Sequence, residues 1–146
     1  MSPETIFRLC SWFVIPGWLL LVVAPRWKWT GRLIASCVVP VPLACVYLYL
    51  IVTQFGKSPG GFGSLAQVSL LFSNPYALLA GWIHYLAFDI FIGSWEVRDA
   101  QRLRIPHLAV VPCLLLTFFF GPIGLLLYFV LRWSLRREFL VGAAHA

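Results

Sequence analysis

The sequence predicts an all-α, polytopic membrane helical bundle: four transmembrane helices, with a short interfacial helix between the second and third. Three observations predict it. Of 146 residues, 61% are hydrophobic and 11% are charged, where a soluble domain carries about 25% charged residues. The apolar residues fall into runs long enough to cross a bilayer, which takes about 20 residues each. Between the runs, tryptophans alternate with cations, as they do at the headgroup level of membrane proteins. Once the spans are placed no soluble domain is left over, so residues 1–146 read as a single transmembrane domain.

Span one is expected from about Ile6 to Ala24, bent at Pro16-Gly17. It reads as a retained first span rather than a signal peptide, because its flanks lack a small-residue cleavage pattern. The segment PRWKWTGR follows, with Trp27 and Trp29 among Arg26, Lys28 and Arg32 as an interfacial anchor. Span two is expected from about Leu33 to Thr53, with an irregular first turn at Pro40 and Pro42. KSPGGFG is a flexible turn. SLAQVSLLF is too short to cross and reads as a helix lying in the interface or a re-entrant piece. Span three starts at Asn74-Pro75, an N-cap followed by a first-turn proline. It can run without a breaker to Leu103, and 29 residues cover about 43 Å. The helix is therefore expected either to project from the membrane or to break near Gly93-Ser94. Span four is expected from Ile105 to Leu131, with bends or close helix contacts at Pro112 and in the GPIG run at 121–124.

Four crossings put both termini on one side. The basic residues then divide six against five, which leaves the orientation open. The net charge of +6 lies between apolar runs and at the tail, so it points to lipid headgroups and no nucleic-acid partner is expected. The four cysteines (Cys10, Cys37, Cys45 and Cys113) form no CxxC pair and read as free thiols. No inverted repeat of the kind that builds transporters is visible.

Polar chemistry concentrates in residues 81–107, GWIHYLAFDIFIGSWEVRDAQRLRIPH. At about 100° per residue, Tyr85, Asp89, Glu96, Asp99 and Arg102 fall within an arc of about 140° from His84. One face of span three can therefore be polar and point inward. His84 and Asp89 should lie within the hydrocarbon, where a charged carboxylate costs at least a few kcal/mol. Glu96, Arg98, Asp99 and Arg102 lie nearer the far surface, and His107 can meet them across a short turn. Glu96 and Asp99, one turn apart, can approach each other. Each has a plainer role to weigh: helix–helix hydrogen bonding for Asp89 and His84, surface pairing with arginine for Glu96 and Asp99, and helix initiation for His107.

Two chemistries fit this cluster. One is general acid–base catalysis by neighbouring carboxyl groups. The other is a metal such as iron, manganese or zinc, drawn from His84, Asp89, Glu96, Asp99 and His107 across helices, although no HExxH-type motif is present.

The combination HYLAFD, WEVRDA, PH and FGPIGLLLY resembles the ABA-deficient-four-like membrane proteins, most strongly over residues 81–132. The resemblance implies a four-span fold. It carries over His84, Asp89, Glu96, Arg98, Asp99 and His107 as the polar positions, with no assigned roles. The plant member is needed to make neoxanthin from violaxanthin, an isomerisation of an epoxide to a hydroxy-allene. The expectation is thus a membrane enzyme acting on a carotenoid or related isoprenoid without an organic cofactor. Under that expectation, Glu96 or Asp99 is the acid, Asp89 or His84 the base, and Arg98 holds the carboxylates. No plastid-directing extension precedes the first span, so the expected location is a bacterial inner membrane or a cyanobacterial plasma or thylakoid membrane. Non-catalytic carotenoid or lipid binding is the alternative, followed by a small transporter or proton relay built on Asp89. A homodimer is a further expectation for so short a chain.

Overall fold

The computed structural model describes residues 1–30, 36–54 and 56–137. Arg32, the first residues expected in span two, and the tail from Glu138 through His145 lie outside the described residues. Six helices follow in order. Three apolar segments are long enough to cross a membrane: Pro3–Val23, Ser36–Gln54 and Pro75–Arg102.

α1 (Pro3–Val23) starts where the Ser2 side chain accepts a hydrogen bond from the Thr5 amide, with Pro3 in the first turn. α2 (Pro40–Gln54) is preceded by a wide π turn at residues 36–38, the irregular start that its prolines predict. α3 (Leu65–Leu71), capped by Ser64, buries none of its residues and lies between the second and third spans as expected. α4 (Pro75–Arg102), capped by Asn74, is continuous. It does not break at Gly93-Ser94. Instead Gly93 leaves room for the Trp18 ring of α1, which an added Cβ would meet at 2.8 Å.

α1 and α4 run parallel. Phe7 meets Trp82 near their starts, and Gln101 near the end of α4 donates to the Pro25 carbonyl just past α1. α2 runs against α4: Ser36, ahead of α2, meets Ser94, and Tyr47 meets His84.

The last apolar stretch differs from the single span expected over Ile105–Leu131. It forms two shorter helices, α5 (His107–Phe120) and α6 (Pro122–Arg136). At about 1.5 Å per residue each covers only about 21–23 Å, short of a hydrocarbon core of about 30 Å. They fold back on each other as a hairpin. Gly121 turns the chain with φ 47° and ψ −97°, which needs glycine. Its amide donates to the Thr117 carbonyl, and its own carbonyl accepts from the Gly124 amide. The turn's polar groups are thus satisfied internally, as a turn at membrane depth requires. Gly124 lets the two arms touch, since a Cβ there would run into the Thr117 backbone. α6 returns to the level where α5 began, and Arg136 donates to the Arg104 carbonyl.

The hairpin moves the basic residues. Arg26, Lys28, Arg98, Arg102, Arg104, Arg132, Arg136 and Arg137 all lie toward one end of the bundle, whereas Arg8 and Lys57 lie toward the other. Three crossings also put the described termini, Met1 and Arg137, at opposite ends.

Candidate active site

The hairpin turns at the level of Asp89. An added Cβ on Gly121 would stand 3.0 Å from Asp89 Oδ1. The inward face of α4 therefore meets different partners at three heights. At the tip is Asp89, whose Oδ2 is buried without a hydrogen-bond partner. Two turns on is Glu96, fully buried. Glu96 Oε1 accepts from the Thr117 hydroxyl of α5 at 3.0 Å, and its Oε2 is buried without a partner. One turn further is Asp99, against α6.

Asp99 is fully engaged. Its Oδ2 accepts from the Tyr128 hydroxyl at 2.8 Å and pairs with the Arg132 guanidinium at 3.0 Å. Its Oδ1 pairs with Arg102 at 3.1 Å. Arg132 is itself fully buried. This is a clamp that closes the open end of the hairpin onto α4. Glu96 and Asp99, one turn apart, thus take different partners: α5 holds one and α6 the other.

Three further expected residues stand apart from the pair. His84, at the edge of the predicted arc, is exposed. Its ring stacks on Phe88 at 4.4 Å and lies 5.8 Å from Tyr47 of α2. It faces the side opposite the hairpin and does not join Asp89. His107 is half-buried, and its Nε2 donates to the Val22 carbonyl at 2.9 Å. It ties the start of α5 to the end of α1 rather than meeting Glu96 or Asp99. Arg98 is half-buried, while the arginines that reach Asp99 are Arg102 and Arg132. Among the described residues no group of three His, Cys, Asp or Glu side chains gathers where it could hold a metal ion.

Thr117, Gly121, Tyr128 and Arg132 complete this region and were missing from the sequence-based set. The sequence carried one sign of them in GPIG, a glycine and proline amid an apolar run.

Beneath the hairpin tip, the other half of the bundle is open. An apolar cavity of about 1070 Å³ lies between the starts of α1 and α4, lined among others by Phe7, Trp82, Tyr85 and Phe118–Phe120. Tyr85 stands at its inner end. Its hydroxyl donates to the Phe118 carbonyl at 2.9 Å, and the Asp89 carboxylate is its other neighbour. The site is thus an apolar groove whose inner end is closed by Tyr85 and its neighbour Asp89, with Glu96 two turns further along α4. Such an arrangement can admit a lipid and exchange protons with it while bulk water is kept out.

The family model described as ABA DEFICIENT 4-like matches residues 5–128. Over 146 residues the chain is 25% identical to Protein ABA DEFICIENT 4, chloroplastic, of Arabidopsis thaliana, with 93% of this chain and 64% of the plant protein covered. The chain thus spans about two thirds of that relative's length at most. No solved structure matches it.

Proposed function

The chain belongs to the ABA DEFICIENT 4-like family, and from that premise we propose that it is a membrane enzyme modifying the end group of a carotenoid or related isoprenoid by acid–base chemistry. The observation that carries this reading is the pair Asp89 and Glu96. Both lie on the hairpin face of α4, and each keeps one buried oxygen without a partner. A buried polar atom left unpaired costs stability, so two of them, two turns apart on one face of α4, point to a use outside folding.

For an epoxide-to-allene isomerisation the two carboxyl groups divide the work. The protonated one gives its proton to the epoxide oxygen as the ring C–O bond breaks. The ionised one removes the proton from the adjacent polyene carbon. The product is an isomer, with a hydroxyl where the epoxide was, and the site ends with its proton on the other carboxyl. No external oxidant or reductant enters. Asp89 lies nearer the groove and is assigned as base, with Glu96 as acid. Asp99, His84, Arg98 and His107 take supporting places in this reading. Asp99 holds the hairpin, and the other three lie off the path between groove and carboxyl pair. The membrane of a bacterial or cyanobacterial cell is the proposed location.

Expression in a host that accumulates several carotenoids, violaxanthin included, tests this by pigment chromatography. A new pigment is expected, and its rate of formation should fall by about a hundredfold in Asp89→Asn and in Glu96→Gln, the size of a general acid–base contribution, while the protein still folds. Undiminished product in the double variant would remove both residues from the chemistry. Pigment that co-purifies unchanged with the wild-type protein would favour non-catalytic binding, which the groove supports as the second reading.

A further inference from the structure

We propose that a pocket at the basic end of the bundle binds the phosphodiester of an anionic phospholipid, with Arg26 and Arg104 holding the phosphate. The pocket shares no lining residue with the apolar groove and includes neither Asp89 nor Glu96.

The pocket, about 620 Å³, lies where α1 has ended and α4 turns into α5. Two hydrogen bonds fix its walls. Gln101 donates to the Pro25 carbonyl, and His107 donates to the Val22 carbonyl. Its depth is set by α4, whose 28 residues rise about 42 Å, the thickness of a bilayer with its headgroups. The last turn of α4 therefore lies at phosphate level. Trp27 and Trp29, which follow Arg26 in the chain, are exposed, as rings in the interfacial belt are.

The lining is cationic without a counter-charge. Arg26 and Arg104 line it, and among the described residues no Asp or Glu does. Asp99, the carboxylate of this end, is taken by Arg102 and Arg132. The start of α5 adds to the two guanidinium groups. Its N-cap, Pro106, supplies no side-chain acceptor, so the positive end of the helix is left for an outside anion. Arg104 also has φ 54°, in the left-handed region that glycine adopts freely and arginine does not. A turn alone is better served by glycine, so the arginine speaks for a use of its charge. Val97, Ala100 and Ile105 supply an apolar floor. A free phosphate gains nothing from that floor, whereas a phospholipid brings its glycerol and acyl carbons to it. The fitting lipid is one whose headgroup carries no cation, because an ammonium group would stand against the two arginines.

Native mass spectrometry of the purified full chain in detergent tests this. The probes are phosphatidylglycerol and phosphatidylcholine with the same acyl chains. The wild type is expected to hold phosphatidylglycerol about tenfold more tightly, within the worth of two arginines at a membrane surface. Arg26→Gln combined with Arg104→Gln should bring the two lipids level. Arg8→Gln combined with Lys57→Gln removes as much charge at the other end of the bundle and should keep the preference. Arg104→Gly suits the left-handed backbone, so it should melt no lower than the wild type and still lose most of the preference. That variant keeps the test decisive if the Arg26 and Arg104 double variant unfolds. Equal binding of the two lipids by the wild type overturns the proposal. So does a preference that survives in the double variant or is unchanged in Arg104→Gly. An equal loss in the Arg8 and Lys57 variant would mean net charge alone and overturns it too. Inorganic phosphate separates the lipid from the bare ion. It is expected to leave bound phosphatidylglycerol in place, and displacement at equal concentration would overturn the lipid assignment.

Discussion

Asp99 and the pair Asp89–Glu96 occupy one face of one helix, ten residues apart at most, yet they are treated in opposite ways. Asp99 receives two arginines and a tyrosine hydroxyl. Asp89 and Glu96 each keep a buried oxygen unpaired. The difference comes from the hairpin. Its open end, where α5 begins and α6 finishes, brings cations. Its closed end brings backbone, a threonine and an apolar roof. A carboxylate saturated with donors is a structural fastener, because its charge is spent on its partners. One left under-bonded beside a groove keeps its proton affinity for something else.

The comparison depends on the hairpin, so the largest effect concerns topology. If α5 and α6 fold back, the N- and C-termini face opposite sides, and the strongly basic end faces the cytoplasm. Reporter fusions, or labelling of single cysteines placed at residues 2 and 137, should give opposite sidedness, with the residue 137 end cytoplasmic. The same sidedness at both ends would restore four crossings and break the comparison outright.

The next effect is on stability. Asp99→Asn leaves Arg132 buried without its counter-charge, and breaking a buried pair in this way costs about 3–5 kcal/mol. Asp89→Asn removes no ion pair and should leave thermal unfolding in detergent close to wild type. Equal loss in the two variants would mean that the two sites are not distinguished by their partners. Gly124→Ala comes below this. Its methyl would collide with the Thr117 backbone and wedge the arms apart, an overpacking cost of about 1–3 kcal/mol. The same melting experiment reads it.

Much of the comparison could be read from the chain alone, and the limits have a physical cause. The three long spans, the capped start at Asn74-Pro75 and the short helix before it are local features, set by apolar length and by capping residues. The burial of Glu96 and the inward placing of half-buried Asp89 followed from the polar face of one helix. The fold-back did not follow, because the run from Ile105 to Leu131 is long enough to cross, and Gly121-Pro122 reads equally as a kink. What decides is tertiary: the space for the arms at Gly124 and the arginine of α6 that finds Asp99. His84 shows the same limit at the scale of one residue. An arc of about 140° is wider than the strip one hairpin covers, so its edge member turns to α2 instead.

The smallest expected effect tests whether Glu96 belongs with the under-bonded group or with Asp99. Thr117→Val keeps the side chain's shape and removes the one hydroxyl that Glu96 accepts from, at a net cost of about 1 kcal/mol. If Glu96 serves only to hold α5, that loss should be the whole consequence, and Glu96→Gln should behave like it. If Glu96 is the acid, Thr117→Val should slow product formation by more than its stability loss explains, because the carboxyl is no longer held in place. Combining Thr117→Val with Glu96→Gln should then add nothing to the kinetic loss, since the group being positioned is already gone. Additive losses in rate would place Thr117 and Glu96 on separate tasks and move Glu96 to the side of Asp99.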